Sequence, residues 1–411
     1  MTRGRSRSGR KPPSAPLAPS DLLGRPASTA TLRLGGRVVL AEPDALHVAD
    51  AFATVTVQGR NVAEPGDLVL VSGRWDGKRL CSGRLLERLP CPTPRADGEF
   101  ARLTWQGVGP RLRARSQALA VIRTYFAAEG FIEIDAPQRV RAPGVDQNVD
   151  ALRAQGGYLV TSPELPLKRL VVGGIPRCYS LSHAFRRDEQ GGLHEPEFLL
   201  LEWYRAFSGQ RDVESDTEAV VVAVARALRG KAELFTPEGR RIDLRTPFPR
   251  LSVAEAFARH AGVRDVARLA ADDEDRYFEL MVSKVEPALA KLDRPVFLCD
   301  YPLSQAALAR PSREDPRFAE RFELFAGGVE LCNGYGELTD PVEQRRRFQS
   351  ERLARKRAGR PVYPIERRFL RALVEGMPPS GGNALGVDRL VMLATGAKSI
   401  QDVVPLPWER G

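Results

Sequence analysis

Two acidic residues flank a predicted hairpin in the last third of the chain. The pair Gly327-Gly328 is a strong signal for a two-residue hairpin turn. In the register that this turn sets, Glu323 and Glu330 lie on the same face of the two strands. Two converging carboxylates repel each other unless a divalent cation lies between them, and Mg²⁺ prefers oxygen ligands. The pattern therefore indicates either a magnesium site or a solvated acidic face.

The second strand of this hairpin carries further polar side chains at period two. Asn333, Tyr335 and Glu337 share one face, but simple alternation places them opposite Glu330. All of them can line one pocket only if the strand contains a β-bulge, which we expect near Gly334.

A second predicted hairpin, residues 177–207, combines a cation with a carboxylate. Alternation places Phe198, Glu202 and Tyr204 on one face of its second strand. A Glu on an otherwise apolar face needs a cation or a water-filled pocket, because an unpaired buried charge is costly. Arg186, at the end of the first strand, offers a planar donor fork suited to a phosphate. A structural ion pair between Glu202 and an arginine is the alternative interpretation.

Two further segments place a charged residue at a predicted helix start. Residues 376–396 are a glycine-rich approach followed by an amphipathic helix with Arg389 in its first turn. An arginine there opposes the helix dipole and so calls for an anionic partner. In TSPELPLKRL, residues 161–170, Glu164 lies just ahead of a predicted helix, where it acts either in a binding site or as a helix cap.

These residues belong to the longer of two predicted domains. Residues 1–28 are rich in Arg, Ser and Pro, which predicts a disordered basic tail. Short alternating runs over residues 29–95 predict a small OB-like β-barrel, which could bind an oligonucleotide. Only Phe52 and Trp75 would be available there for base stacking, so sequence-specific binding by this domain is not expected.

Residues 96–411 form the predicted catalytic domain. Its strands alternate with helices without a regular βαβ rhythm, which favours an antiparallel α+β fold over a doubly wound one. The predicted helices in its second half are 216–229, 252–261, 273–290, 342–358 and 366–376.

The composition is that of an ordinary globular protein with a basic balance. Lys and Arg exceed Asp and Glu by 62 to 52, a formal net charge of +10 that favours polyanionic ligands. The five cysteines show no C-x-x-C spacing, which argues against a disulfide framework or a zinc ribbon. No run has the length of a membrane span, and the basic start lacks the apolar stretch of a signal peptide. We therefore expect a cytoplasmic protein without membrane contact.

Taken in order, these segments resemble the class II aminoacyl-tRNA synthetases, and within them the lysyl-tRNA synthetase group. The stretch ending at Pro137 is similar to motif 1, the hairpin from Phe185-Arg186 to Glu202 to motif 2, and GNALGVDR to motif 3. The resemblance covers about residues 105–405. It implies a six- or seven-stranded antiparallel sheet flanked by helices, a homodimer formed through the motif 1 region, and a ligase that forms an aminoacyl-adenylate from ATP with Mg²⁺.

The resemblance also implies roles for individual residues. Arg186 would bind the α-phosphate of ATP and Arg389 the γ-phosphate, which makes them the catalytic pair. The other residues of the implied ATP site are Asp188, His194 over the nucleotide, Phe198 stacked on adenine, and Glu323. Glu323 and Glu330 match the magnesium-binding carboxylates. The implied amino-acid pocket consists of Glu164, Glu202, Tyr204, Asn333, Tyr335, Glu337 and Ala384, with Tyr204 and Glu337 at the ε-ammonium group.

Some details resemble the paralogues that attach (R)-β-lysine to a lysine of translation elongation factor P. These are TSPELPLKRL, HEPEFLLLEWYR, YPLSQAALA, and Ala384 where the synthetases usually carry Gly. Three features depart from that branch. The first is the N-terminal barrel, and the other two are Asp188 in place of Glu and Glu195 in place of Asn in the motif 2 segment. We therefore expect transfer of lysine or (R)-β-lysine to elongation factor P. The alternatives are transfer of lysine to tRNA and an inactive synthetase-like module that binds RNA or protein.

Overall fold

The computed structural model describes residues 15–144 and 146–410. They divide into two compact units, with the boundary between Arg113 and Ala114. The first 14 residues of the predicted basic tail lie outside the described residues.

The first unit is built on a closed barrel of five strands in the order β1-β2-β3-β5-β4. The strands are β1 (Thr31–Glu42), β2 (Ala45–Ala49), β3 (Thr54–Gln58), β4 (Leu68–Trp75) and β5 (Leu80–Leu89). Alternate residues of each strand point inward, so that Leu34, Val48 and Val57 are fully buried. The inward alternation is what the sequence predicts for an OB-like barrel.

Residues 15–28 pack on this barrel and do not extend away from it as a tail. The backbone amide of Leu17 donates to the carbonyl of Arg33 at 2.9 Å, and Leu22 is buried in the barrel core. The expected disorder is therefore wrong for this part of the segment, because Leu17 and Leu22 supply the apolar anchors that hold it.

Of the two aromatic residues considered for base stacking, Trp75 is buried and Phe52 is 39% exposed. Trp75 is 5% exposed, and its indole Nε1 donates to the Arg25 carbonyl at 2.9 Å. The guanidinium of Arg113 lies 3.8 Å from the centre of the Phe52 ring. Trp75 is therefore not available for base stacking, and the Phe52 ring is in contact with Arg113.

The second unit contains an eight-stranded sheet in the order β14-β15-β16-β17-β18-β11-β10-β6. Its strands, with those of two small sheets, are β6 (Ile132–Glu133), β7 (Arg139–Val140), β8 (Arg153–Ala154), β9 (Gly157–Leu159), β10 (Arg177–Phe185), β11 (Glu197–Ala206), β12 (Glu233–Phe235), β13 (Arg241–Asp243), β14 (Arg250–Ser252), β15 (Val296–Pro302), β16 (Phe318–Ala326), β17 (Val329–Gly336) and β18 (Ser380–Gly386). The six central strands are antiparallel, and the edge strands β14 and β6 pair in parallel. The predicted α+β fold is confirmed. The sheet has eight strands, whereas the resemblance implied six or seven.

The helices are α1 (Val108–Ala128), α2 (Glu164–Val172), α3 (Gln210–Arg229), α4 (Val253–His260), α5 (Val266–Asp272), α6 (Glu274–Leu280), α7 (Glu286–Leu289), α8 (Pro341–Arg357), α9 (Arg367–Glu375) and α10 (Val387–Thr395). Short 3₁₀ or π turns are Pro19–Leu22, Ala101–Trp105, Met281–Val285, Leu303–Gln305, Ile400–Asp402 and Trp408–Arg410.

One face of the large sheet is covered by α1, α3 and α10. Their apolar residues recur at helical spacing, as with Val213, Val220 and Val224 of α3, and pack into one core with the odd-numbered residues of β11. Asp388 at the start of α10 also joins these elements, since it accepts from the guanidinium of Arg115 in α1 and from the Leu199 amide at 2.8 Å. This packing leaves the opposite face of the central strands free to form a site.

Candidate active site

A cavity of about 420 Å³ lies on the opposite face of the central strands. On β11, Leu199, Leu201 and Trp203 enter the core, whereas the even-numbered residues from Phe198 to Tyr204 line the cavity. The predicted alternation of this strand is confirmed. A single strand thus supplies both the support and the lining of the site.

The hairpin predicted at Gly327-Gly328 is also confirmed, but the bulge is in a different position. Both glycines have positive φ, and Ala326 pairs with Val329. The register then shifts so that Leu331 is the extra residue, since Phe325 pairs with Glu330 but Leu324 pairs with Cys332. The expected bulge near Gly334 is wrong. Its predicted effect is present, because Glu330, Asn333 and Tyr335 all line the cavity.

A group of cationic and aromatic side chains lies at the β10–β11 end of the cavity. The guanidinium of Arg186 is 5.1 Å from the centre of the Phe198 ring and 3.6 Å from the Glu189 carboxylate. Asp188 does not line the cavity: its side chain is 78% exposed, and it accepts from Arg187 at 3.0 Å. A contact between Asp188 and a nucleotide is therefore not supported. Glu189 is the acidic residue of this turn that lines the cavity.

Arg389 joins this group to the hairpin of β16 and β17. Its Nη1 donates to the Glu330 carbonyl at 2.9 Å and lies 3.5 Å from the Glu330 carboxylate. Its Nη2 lies 2.7 Å from Nε2 of His194, and since a guanidinium only donates, this imidazole nitrogen accepts. Burial and the charge of Arg389 lower the pKa of His194, which favours the neutral ring. The anionic partner predicted for Arg389 is present as Glu330.

The carboxylates of Glu323 and Glu330 both line the cavity. Burial, together with the charge of Glu330, raises the pKa of Glu323, although Arg321 opposes this. Tyr301 and Arg321 each donate to Glu323 at 2.6 Å and hold it in place. Within residues 15–144 and 146–410, no cluster of three or more acidic, His or Cys ligands could hold a metal. Two carboxylates fit Mg²⁺, which takes its remaining ligands from phosphate and water.

A buried lysine lies among the carboxylates at the other end of the cavity. Nζ of Lys168, in α2, is 2.5 Å from the carboxylates of both Glu164 and Glu337, and the side chains of Lys168 and Glu337 are 0% exposed. Burial opposes the charge of Lys168, but the two carboxylates raise its pKa above the ordinary value. Glu337 does not line the cavity. Its expected contact with a substrate ammonium group is therefore replaced by an ion pair with Lys168.

Glu202 is the carboxylate of this group that lines the cavity and forms no ion pair with any residue in 15–144 or 146–410. It accepts from the Ser162 hydroxyl and from the Tyr204 hydroxyl, each at 2.6 Å. Burial raises the pKa of Glu202 to about 8, and the charge of Glu164 adds to the effect. An ammonium ligand would favour the ionised form, so this group is suited to bind one.

Most of the predicted site residues come together in this cavity. Those that line it are Glu164, Arg186, His194, Phe198, Glu202, Tyr204, Glu323, Glu330, Asn333, Tyr335, Ala384 and Arg389. Ala384 lies between Glu202 and Asn333 on the neighbouring strands. The predictions missed Lys168 and Arg321. Both had a local signal, since Lys168 is four residues after Glu164 on a helix and Arg321 is two residues before Glu323 on a strand.

Comparison with known families agrees with this geometry. The model of the class II tRNA synthetases (D, K and N) matches residues 95–410. The chain belongs to this family. The synthetase fold accounts for the antiparallel sheet, and the matched segment contains every residue of the candidate site.

Similar proteins from two branches of the family carry ligase names. The elongation factor P–(R)-β-lysine ligase of Edwardsiella ictaluri is 37% identical over 75% of this chain and 98% of its own length. That of Yersinia enterocolitica is 36% identical over the same shares. The lysine–tRNA ligase of an Azoarcus species is 35% identical over 72% of this chain and 63% of its own length. Family and relatives together identify this chain as a ligase of the class II synthetase type.

No helix in the described parts of the chain combines the length and apolar character that crossing a bilayer requires.

Proposed function

We propose that this chain uses ATP to activate lysine or (R)-β-lysine as an adenylate and transfers it to a lysine of translation elongation factor P. The observation that carries the proposal is the separation of charge within one cavity. Arg186 and Arg389 lie at one end, and the buried carboxylates around Glu202 lie at the other. A phosphate-binding end and an ammonium-binding end are what an enzyme needs to join ATP with a basic amino acid.

The arginine end would bind the triphosphate. Arg186 would donate to the α-phosphate and Arg389 to the γ-phosphate, while Phe198 stacks on the adenine. The amino-acid carboxylate would attack the α-phosphorus in line, and the arginines would stabilise the charge that spreads over the phosphate oxygens. No protein nucleophile is required. Glu323 and Glu330 would hold Mg²⁺, which supplies neutralising charge to the phosphates when bound.

The acidic end would bind the amino acid. Glu202 and Glu164 line the cavity and would accept from the substrate's ammonium groups, with Asn333 and Tyr335 beside them. Glu337 would act indirectly, because it is paired with Lys168 and, unlike Glu164, does not line the cavity. We expect Ala384 to shape the floor next to Glu202, where one methyl group is worth about 1–3 kcal/mol of discrimination between substrates.

The tRNA acceptor remains the second candidate because of the first unit. An alignment over 75% of this chain covers 98% of the Edwardsiella relative, and the family match begins at residue 95, after the β-barrel. A barrel of the OB type is a common carrier of oligonucleotide binding.

We also propose that the enzyme is a cytoplasmic homodimer. Size-exclusion chromatography with light scattering would measure its mass in solution and so test the dimer.

Single-turnover transfer would test the proposal. Labelled lysine and (R)-β-lysine are each incubated with ATP, Mg²⁺ and enzyme, and then with elongation factor P or total tRNA. We expect label on the protein factor, with (R)-β-lysine preferred, and none on a factor whose acceptor lysine is changed to arginine. Label on tRNA would make this a lysine–tRNA ligase. Absence of any adenylate would contradict the proposal and favour the binding-module alternative.

A further inference from the structure

The excess positive charge of the chain is concentrated in one short segment. Residues 345–371 contain eleven Lys and Arg residues and two acidic residues, Glu351 and Glu366. This segment accounts for nearly all of the excess of 62 Lys and Arg over 52 Asp and Glu in the whole chain. It runs from α8 through the link of residues 358–366 into α9. Charge of one sign gathered on two neighbouring helices attracts ligands of the opposite sign.

Some of these cations hold the fold together, and others lie on the surface. Arg347 and Arg355 are buried and donate to backbone carbonyls, the latter to that of Pro361 at 2.7 Å. By contrast, every cation within residues 356–371 is exposed and forms no ion pair with any residue that the structure describes. We call these side chains the basic surface: Lys356, Arg357, Arg360, Arg367, Arg368 and Arg371.

The three arginines of α9 lie where they weaken the helix. Arg367 and Arg368 are in its first turn, where a cation opposes the helix dipole. Arg371 lies four residues after Arg367, a spacing at which like charges repel. Glu366 caps the helix by accepting from the Arg368 amide at 2.8 Å. The arginines therefore lower the stability of α9 in the absence of an anion, and an anionic partner would relieve this repulsion.

Exposed apolar side chains lie among the cations. Leu353 is 54% exposed, Val362 41% and Val374 70%. Val374 follows Arg371 by three residues and Arg367 by seven, which puts all three on one face of α9. Protein interfaces are enriched in arginine and bury apolar groups, whereas binding to a nucleic-acid backbone depends mainly on the cations. The mixture favours a protein partner with an acidic surface.

The basic surface belongs to the elements that enclose the amino-acid end of the cavity. Phe348 and Glu351 of α8 line the cavity, and the Phe348 ring packs 6.2 Å from the Phe369 ring of α9. Both rings share a core cluster with Leu165, the residue after Glu164. A protein that delivers a lysine side chain into this cavity must contact the surface around it.

We propose that the basic surface docks the protein acceptor through carboxylates on the acceptor's own surface. This inference rests on the proposed function, because it takes the acceptor to be a protein. The guanidinium groups match carboxylates in fork geometry, and their field steers an acidic protein towards the cavity. Docking concerns only the transfer step, since the adenylate forms from small molecules inside the cavity.

The triple variant Arg367→Gln, Arg368→Gln, Arg371→Gln tests the proposal. Glutamine is as good a helix former as arginine, and its introduction removes the repulsion within α9, so the variant should fold. Each exposed ion pair contributes a factor of up to about five. We therefore expect kcat/KM for elongation factor P in the transfer of labelled (R)-β-lysine to fall at least about tenfold. Lysine-dependent pyrophosphate exchange, which measures the adenylate step, should be unchanged.

A matched control removes the same charge elsewhere. Arg264, Lys284 and Lys291 are exposed residues of the region from α4 to α7, and the variant Arg264→Gln, Lys284→Gln, Lys291→Gln should transfer like the unchanged protein. Raising the ionic strength should lower kcat/KM for elongation factor P in the unchanged protein and in this control. The effect should be smaller in the triple variant of α9, because fewer charges remain to be screened.

Binding without transfer separates this inference from the proposed function. Calorimetry would measure the Kd of each protein for elongation factor P whose acceptor lysine is changed to arginine. Weaker binding by the α9 variant alone would support the docking surface even if no label were transferred, a result by which only the proposed function would fail. Equal Kd values for the two triple variants, or no binding by the unchanged protein, would overturn the inference. Weaker binding of tRNA by the α9 variant, with unchanged binding of elongation factor P, would assign the surface to nucleic acid and also overturn it.

Discussion

Replacing Lys168 with methionine should destabilise the protein strongly. The side chain of Lys168 is 0% exposed, and its ammonium group lies 2.5 Å from the carboxylates of both Glu164 and Glu337. Methionine has a similar length and fills the same space without the charge. The variant therefore tests the charge of the ion pair with little change in packing.

The magnitude follows from the burial of the pair. Removing one partner of a buried ion pair costs about 3–5 kcal/mol, because the remaining charge has neither water nor a counter-ion. Here Glu337 is fully buried and Glu164 largely so, so we expect the free energy of unfolding of Lys168→Met to fall by about that amount near pH 9, where Glu337 is ionised in the unchanged protein. The Lys398→Met control, at an exposed residue, should differ from the unchanged protein by less than about 0.5 kcal/mol.

The pH dependence gives a second and independent test. Burial already raises the pKa of Glu337 to about 7 in the presence of Lys168, against an ordinary value of 4.5. A carboxyl group with a raised pKa in the folded state stabilises the fold below its ordinary pKa, and this contribution is lost as the pH rises through the raised value. Loss of Lys168 raises that pKa further. The difference in free energy of unfolding between the unchanged protein and Lys168→Met should therefore be small at acidic pH and grow from about pH 7 to about pH 9.

Urea unfolding followed by tryptophan fluorescence at several pH values would measure both effects. A deficit below about 1 kcal/mol, or one that does not change with pH, would refute the ion-pair account. It would mean that the three side chains are neutral, or are separated by solvent, in the folded protein.

Three further changes probe other parts of the site. A Cβ at Gly382 would lie closer to the Tyr204 ring than van der Waals contact allows, so Gly382→Ala should raise KM for lysine at least about tenfold. The control is Gly35→Ala, whose Cβ would make only ordinary contacts and which should leave this KM unchanged. Because the pKa of Glu202 is raised to about 8, lysine affinity should increase as the pH rises from 6 towards 8 with release of a proton, and Glu202→Gln should remove this dependence. Glu323→Gln should raise the Mg²⁺ concentration needed for half-maximal exchange at least about tenfold.

Each of these outcomes has a measurement that can contradict it. The KM values come from pyrophosphate exchange, with KM for ATP as the internal control. Calorimetry in buffers of different ionisation enthalpy measures the proton release, and equal apparent enthalpies would exclude it. An unchanged Mg²⁺ dependence would remove Glu323 from the proposed metal site.

The sequence by itself determined those parts of the site that depend on local periodicity. The face of β11 that carries Phe198, Glu202 and Tyr204 follows from alternation along a strand, and Gly327-Gly328 follows from the positive φ angles that a tight hairpin requires. The position of Arg389 in the first turn of a helix follows from helical spacing. Such features involve residues close together in the chain, so no knowledge of packing was needed.

Only the tertiary structure decided features that depend on distant partners. The bulge at Leu331 is set by the pairing of β17 with its neighbour β16, which alternation within β17 cannot reveal. The burial of Trp75 depends on the closure of the barrel around it. Glu337 lost its predicted role because the fold brings Lys168 against it from another element. In each case the strength of a charge or the exposure of a ring depends on groups far away in sequence, and sequence patterns do not record those distances.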